Sequence, residues 1–205
     1  YLIKGMNLKT LVIGHDHKLG RNRAGDEIRL IELAGEFGFS VVKVDSVTEN
    51  GYKVSSTLIR NLLFEGNVSK ASEFLGRNYS LSGVVVKGSQ RGRTIGFPTA
   101  NIEIQDNCKL VPARGVYLCK AKMDQNEEYG IINIGYRPTF NEFDKLYLEV
   151  YIFGLSKDIY GEHIEIEFIE RLRDEIKFDS VESLIERIKK DIEEAEMLLK
   201  TQTNN

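Results

Sequence analysis

The sequence predicts an α+β protein in two parts: a partial α/β segment over residues 1–77, then an antiparallel β-barrel with a C-terminal helix over residues 78–205. Three observations predict it. Strand-like and helix-like runs alternate before residue 78, short strand-like runs succeed one another after it, and one long amphipathic stripe closes the chain.

In the first part, Leu11-Val12-Ile13-Gly14 is a short apolar run ending in glycine, as a buried parallel strand does. Glu27 to Phe37 carries Ile28, Ile31, Leu33, Ala34 and Phe37 on one helical face, and Gly38 closes it. Val41, Val42, Val44 and Val47 read as a second strand. The hydroxyls of Ser55-Ser56-Thr57 can cap a helix from Leu58 to Glu65 that Gly66 stops, and Ser69 can cap a shorter one ending at Leu75-Gly76. Two strands are fewer than an open parallel sheet normally has, so the segment reads as half a domain.

In the second part, strands are expected at Val84–Val86, Gly115 to Lys122, Tyr129 to Ile134, Leu146 to Phe153 and His163 to Phe168. The last, His-Ile-Glu-Ile-Glu-Phe, alternates strictly, so one face is buried. Closure into a barrel removes the exposed edges that such a succession would leave. Val181, Leu184, Ile185, Ile188, Ile192, Ala195 and Leu199 then form one apolar stripe, with Asp179 or Ser180 as cap. Glu186, Lys189, Lys190 and Glu193 mark the solvated face, and Thr201 to Asn205 is expected to fray.

Composition narrows the function classes. Of 205 residues, 41% are hydrophobic and 29% charged, with a net charge of -3. The first 77 carry 11 basic and 9 acidic residues and the remainder 17 and 22, so neither part has the basic excess of a nucleic-acid binder. No apolar run approaches the ~18 residues that span a bilayer, and the first ten lack a secretory pattern. Neither nucleic acid nor membrane is therefore an expected partner. Cys108 and Cys119 make neither a disulfide framework nor a CxxC zinc site, which predicts a reducing compartment, the cytoplasm. The missing initiator Met suggests a chain that has been cut or begins mid-protein.

The most unusual stretch is Gly83 to Asn101, GVVVKGSQRGRTIGFPTAN. It holds Lys87, Arg91 and Arg93 and no acid, and Gly88, Gly92 and Gly96 recur every four residues. Glycines bring backbone N–H groups close to an anion and arginines add forked positive charge, so a phosphate cradle is expected. The blander reading is a glycine-rich turn with surface arginines. No GxxxxGK[ST] string exists, so it is not a P-loop. In Pro98-Thr99-Ala100-Asn101 a hydroxyl and an amide oxygen stand at i and i+2, on one face of an extended segment. They are neutral oxygen donors suited to a hard cation completed by nucleotide phosphates, or else a turn cap.

These motifs resemble a known family. Residues 82–101, Asn133-Ile134-Gly135-Tyr136-Arg137-Pro138-Thr139-Phe140, Glu149-Val150-Tyr151, Tyr160-Gly161 and Leu172-Arg173-Asp174-Glu175 closely resemble the riboflavin kinase module. In bacteria that module usually forms the C-terminal part of a bifunctional riboflavin kinase/FAD synthetase. The resemblance implies a six-stranded antiparallel barrel with a C-terminal helix, and transfer of the ATP γ-phosphate to the riboflavin 5′-hydroxyl, giving FMN. It implies Mg²⁺ as cofactor, and ATP/ADP and riboflavin/FMN as bound partners. It makes Glu149 the general base and Thr99 and Asn101 the Mg²⁺ ligands. Gly88, Arg91, Gly92, Arg93, Gly96 and Pro98 would wrap the nucleotide, Asn133 and Arg137 would shape the same cleft, and Arg173 would line a flavin-side flap. Tyr151 stands where the family usually has His.

Residues 10–77 similarly resemble the second half of that enzyme's FMN adenylyltransferase domain. Gly14-His15-Asp16-His17-Lys18-Leu19-Gly20-Arg21 looks like its G-x-D-x-x-F-G segment, with Leu19 for Phe, and Ser55-Ser56-Thr57-Leu58-Ile59-Arg60 matches SSTxIR. Ser56, Thr57 and Arg60 at a helix start would then favour a triphosphate. The family's HxGH motif is not in this sequence, so adenylyl transfer is expected of the intact protein rather than of this chain. His15 and His17 lack a third ligand and are expected to serve a surface or pocket role. Two alternatives remain: a non-catalytic flavin- or nucleotide-binding barrel, and a barrel binding nucleic acid through Lys87, Arg91 and Arg93. The second needs interleaved aromatics, of which the loop has only Phe97.

Overall fold

The computed structural model describes residues 2–15, 27–88, 91–106, 108–124, 126–137 and 145–203. Asp16 to Arg21 and Pro138 to Phe140 lie outside them, as do the side chains of Arg91 and Arg137. The chain divides into two compact units, Tyr1–Val54 and Ser55–Asn205.

The first unit holds α1 (Leu2–Met6), β1 (Thr10–Gly14), α2 (Glu27–Phe37), β2 (Ser40–Val44), β3 (Thr48–Glu49) and β4 (Tyr52–Lys53). β1 and β2 pair in parallel, Thr10 opposite Ser40 through Gly14 opposite Val44, as alternating strand and helix runs predict. Val47 is not part of β2. The chain leaves that strand after Val44, and β3 and β4 form a hairpin across Asn50-Gly51, both at positive φ (49° and 79°). That is the backbone a two-residue hairpin turn requires. Among the described residues of this unit only Ile13, Leu30 and Ala34 bury apolar side chains.

The second unit opens with α3 (Ser56–Glu65) and α4 (Val68–Leu75). Ser55 caps α3, its Oγ accepting from Leu58 N at 3.2 Å, and Gly66 ends it at φ 80°. Asn67, not Ser69, caps α4, its Oδ1 accepting from Lys70 N at 3.3 Å. Ser69 instead donates to Glu170 Oε1 at 3.1 Å. The remaining elements are β5 (Tyr79–Val86), α5 (Arg91–Thr94), β6 (Ala100–Ile104), β7 (Gly115–Met123), β8 (Asn126–Arg137), β9 (Lys145–Ile152), β10 (His163–Arg173) and α6 (Val181–Thr203).

Six strands, β10-β5-β6-β9-β8-β7, close into a barrel in which every described pairing is antiparallel. Along β10 the alternation places Ile164, Ile166 and Phe168 in the interior, none more than 2% exposed. Phe168 meets Tyr117 edge-on and stands opposite Cys119, and these are as buried as Ile132 and Ile134 of β8. Each such side chain contributes about 1.5–3 kcal/mol by leaving water. The strand not expected from the sequence is β6, although its Asn101-Ile102-Glu103-Ile104 alternates polar and apolar residues. α6 lies on the outer wall, where Ala195, Ile192 and Leu199 cover Val116, Leu118 and Ile131. Ser180 caps it, its Oγ accepting from Ser183 N at 3.1 Å, and the helix runs through Thr201, where fraying was expected. No described helix is long and apolar enough to cross a membrane.

Cys119 points into the barrel with its sulfur 3.4 Å from the Gly130 carbonyl oxygen, and burial pushes its thiol well above the ordinary range. Cys108 is exposed. A native chain at pH 8 should therefore react with one equivalent of a thiol reagent and the denatured chain with two; two fast equivalents under native conditions would contradict the barrel interior described here.

Candidate active site

Strand register assembles the site. Across the barrel, Asn101 on β6 stands opposite Glu149 on β9, Glu149 opposite Asn133 on β8, Asn133 opposite Val116 on β7, and Val116 opposite Arg173 on β10. Directly opposed residues share a face, so these five form one row on the outer wall. Leu148 and Val150, the neighbours of Glu149, point inward and are buried. Period two thus forces Glu149 outward.

Thr99 lies two residues before Asn101, on the same face, and its hydroxyl donates to Glu149 Oε1. Thr99, Glu149, Asn133 and Arg173 line one cavity of about 340 Å³. Glu175 and Asp191 add polar groups to its lining, and Ile176, Phe178, Leu184 and Ile188 add apolar ones. Tyr147 and Tyr151 flank Glu149 on its face. Tyr147 Oη accepts from Asn133 Nδ2 at 3.0 Å, and Tyr151 meets Phe97 edge-on with ring centroids 5.7 Å apart.

The glycines of the cationic loop serve a packing need as well as a backbone one. A Cβ on Gly88 would stand 2.0 Å from the Asn101 side-chain amide. A Cβ on Gly92, in the short helical turn α5, would stand 2.3 Å from the Phe97 carbonyl oxygen and 2.8 Å from Thr99 Oγ1. The loop backbone therefore packs directly on the two proposed cation ligands. Gly96 differs: it has open space but sits at φ 88°, where an L side chain is strained.

The other expected residues are spread more widely. Pro98 and Arg93 line a second, smaller cavity of about 50 Å³ with Ala100, Asp158 and Tyr160, and Thr99 lines both cavities. Arg93 pairs with Asp158 at 2.6 Å, both side chains more than half exposed. Ser56, Thr57 and Arg60 lie exposed in the first turns of α3 and line neither cavity. His15 is described but Asp16 and His17 are not, and no metal-binding cluster of His, Cys, Asp or Glu occurs among the described residues. A cation here would rest mainly on neutral oxygens, with one carboxylate beside them. The hydroxyl of Thr99, the amide of Asn101 and the adjacent carboxylate form a donor set that fits a hard ion.

Several lining residues escaped the sequence. Phe97, Tyr147, Ile176 and Phe178 carry no spacing signal. Asp191 carries one: it interrupts the apolar stripe of Ile188, Ile192 and Ala195.

Residues 75–199 match the family model described as riboflavin kinase. The chain belongs to the riboflavin kinase family. Residues 1–58 match the model described as FAD synthetase. The bifunctional riboflavin kinase/FMN adenylyltransferase of Haemophilus influenzae is 40% identical over 95% of this chain and 62% of its own length. That of Bacillus subtilis is 39% identical over 95% of this chain and 61% of its own. The chain thus spans about three-fifths of the curated relatives it matches. A crystal structure of a protein described as a macrolide-efflux protein from Streptococcus pneumoniae is similar at TM-score 0.83 and 37% identity, covering 93% of this chain and 61% of that one. The family's six-stranded barrel with a C-terminal helix is the architecture found in this chain.

Gly88→Ala and Gly92→Ala should each destabilise the fold by about 1–3 kcal/mol, as overpacking does. Thermal melts read this, and a wild-type melting temperature in Gly92→Ala, whose added methyl meets the Phe97 carbonyl oxygen, would contradict the packing argument.

Proposed function

We propose that this riboflavin kinase-family chain transfers the γ-phosphoryl group of ATP to the 5′-hydroxyl of riboflavin, releasing ADP and FMN. The row Asn101–Glu149–Asn133–Val116–Arg173, with Thr99 bonded to Glu149, is the observation that carries the reading. Phosphoryl transfer needs positioning, charge neutralisation and a proton acceptor, and that row offers all three.

The cavity of about 340 Å³ falls in the size range of small-molecule sites, and its apolar lining residues Ile176, Phe178, Leu184 and Ile188 suit the flavin rings. Its polar groups would then receive the ribityl chain, with the 5′-hydroxyl at Glu149. The nucleotide would approach over the loop from Gly88 to Gly96, from the side of the smaller cavity, so that Thr99 stands between the two substrates. Thr99 donates its one proton to Glu149, and the two lone pairs of its oxygen stay available for a cation. Glu149 Oε1 is held by that bond, and the carboxylate accepts the alcohol proton as the oxygen–phosphorus bond forms and the bond to the departing ADP breaks. Thr99 and Asn101 would hold Mg²⁺ bound with ATP, which supplies charge neutralisation at the phosphate oxygens.

Residues 1–77 we read as part of the FMN adenylyltransferase half, supported by the match over residues 1–58. Ser56, Thr57 and Arg60 would serve that half, not the kinase cavity. We place the enzyme in the cytoplasm, in keeping with two unpaired cysteines.

Incubated with riboflavin, ATP and Mg²⁺, the chain should form FMN and no FAD; failure to form FMN would overturn the proposal. Glu149→Gln should cut turnover by about 10²-fold or more, the usual worth of a general base, while riboflavin and ADP still bind. Unchanged turnover would remove Glu149 from the mechanism. Thr99→Ser should keep the Mg²⁺ dependence, and Thr99→Val should raise half-saturating Mg²⁺ at least tenfold; equal titrations would contradict the ligand assignment.

A further inference from the structure

The cavity beside Glu149 has a wall from the C-terminal helix, and one residue of that wall is not apolar. Asp191 is 1% exposed, the most buried acid among the described residues. Arg173 Nε donates to both its oxygens, at 2.9 and 3.0 Å, and Arg173 Nη2 donates to Oδ2 at 2.7 Å. From the other side Arg187 Nε donates to Oδ1 at 2.8 Å. Arg173 Nη1 donates to the Asp174 carbonyl at 2.9 Å, and its guanidinium lies 5.9 Å from the Phe178 ring centroid.

Stability alone is a weak account of this arrangement. Replacing a buried ion pair by packed apolar groups is often neutral or stabilising, and the surrounding stripe of Leu184, Ile188 and Ala195 is already apolar. The ion pair does something a leucine would not: it orients a planar donor fork. Of the five N–H groups of Arg173, three are committed to Asp191 and Asp174, leaving one on each terminal nitrogen. Arg173 and Asp191 both line the cavity.

We infer that Asp191 is a positioning residue, holding the Arg173 guanidinium in the flavin cavity as a rigid donor for carbonyl oxygens of the ring, so that seating of α6 and flavin affinity are coupled. The inference rests on the reading that this cavity takes the flavin. Nucleotide binding, on the far side of Thr99, is not touched by it.

The test is a double-mutant cycle on the whole chain with Asp191→Asn and Arg173→Lys, read by quenching of riboflavin fluorescence and by a parallel Mg²⁺-ADP titration. Asp191→Asn should raise the riboflavin Kd about tenfold and move the ADP Kd less than twofold. On the Arg173→Lys background the same change should cost less than twofold, because the fork it orients is gone. An unchanged riboflavin Kd, additive effects, or equal loss of both ligands would overturn the inference. Should Asp191→Asn fail to fold by circular dichroism, Asp191→Glu, which keeps the charge and displaces it by one methylene, is read in the same cycle against the same criteria. A wild-type chain that binds riboflavin without making FMN overturns the kinase reading alone, and one that binds no riboflavin overturns the inference.

Discussion

Strand register is the constraint on which the site depends. Five side chains from five strands come together because each faces its cross-strand partner, and a slip of one residue in β9 would turn Glu149 into the barrel and Val150 outward. The buried alternation of Leu148, Val150 and Ile152 opposes that slip at several apolar side chains at once, at about 1.5–3 kcal/mol each. The hydrophobic core therefore aims the carboxylate. Closure of the barrel adds to this, since no edge strand is left to shift.

The second layer of organisation is steric. Gly88 and Gly92 bring the loop backbone against Asn101 and Thr99 closely enough that a methyl group would collide with either. Thr99 is thereby fixed by the loop on one side and by Glu149 on the other, and it borders both cavities. A group held from both sides has little conformational freedom left to lose, so Thr99 would be preorganised for the substrates proposed above. The C-terminal helix supplies the remaining wall, and its one buried acid ties it to the same row through Arg173.

Much of this was legible in the sequence. The period-two run of β10, the stripe of α6 and the glycine stops of α2 and α3 each state a physical requirement, and the structure has them. Ser69 misled because a hydroxyl near a helix start suits a cap, whereas Asn67 lies at the residue where the backbone turns. β6 shows period two over only four residues, Asn101-Ile102-Glu103-Ile104, a run too short to stand out beside the cationic loop. The loop glycines were read as a way to approach phosphate, and their contact with Asn101 and Thr99 could not be seen before the strands were paired. Tyr147 and Phe178 join the site through long-range pairing and chain return, which local spacing does not encode. Asp191 was visible as a charge inside an apolar stripe, a signal that usually marks a buried partner.

The most direct measurement is a crystal of the chain grown with ADP, FMN and Mn²⁺, read by anomalous scattering from the manganese. A peak within coordination distance of the Thr99 hydroxyl and the Asn101 amide oxygen, about 2.0–2.3 Å, is expected, with the FMN phosphate beside Glu149 and the flavin rings against Phe178. Manganese bound away from both oxygens, or flavin seated outside the cavity that Glu149 and Arg173 share, would contradict the account.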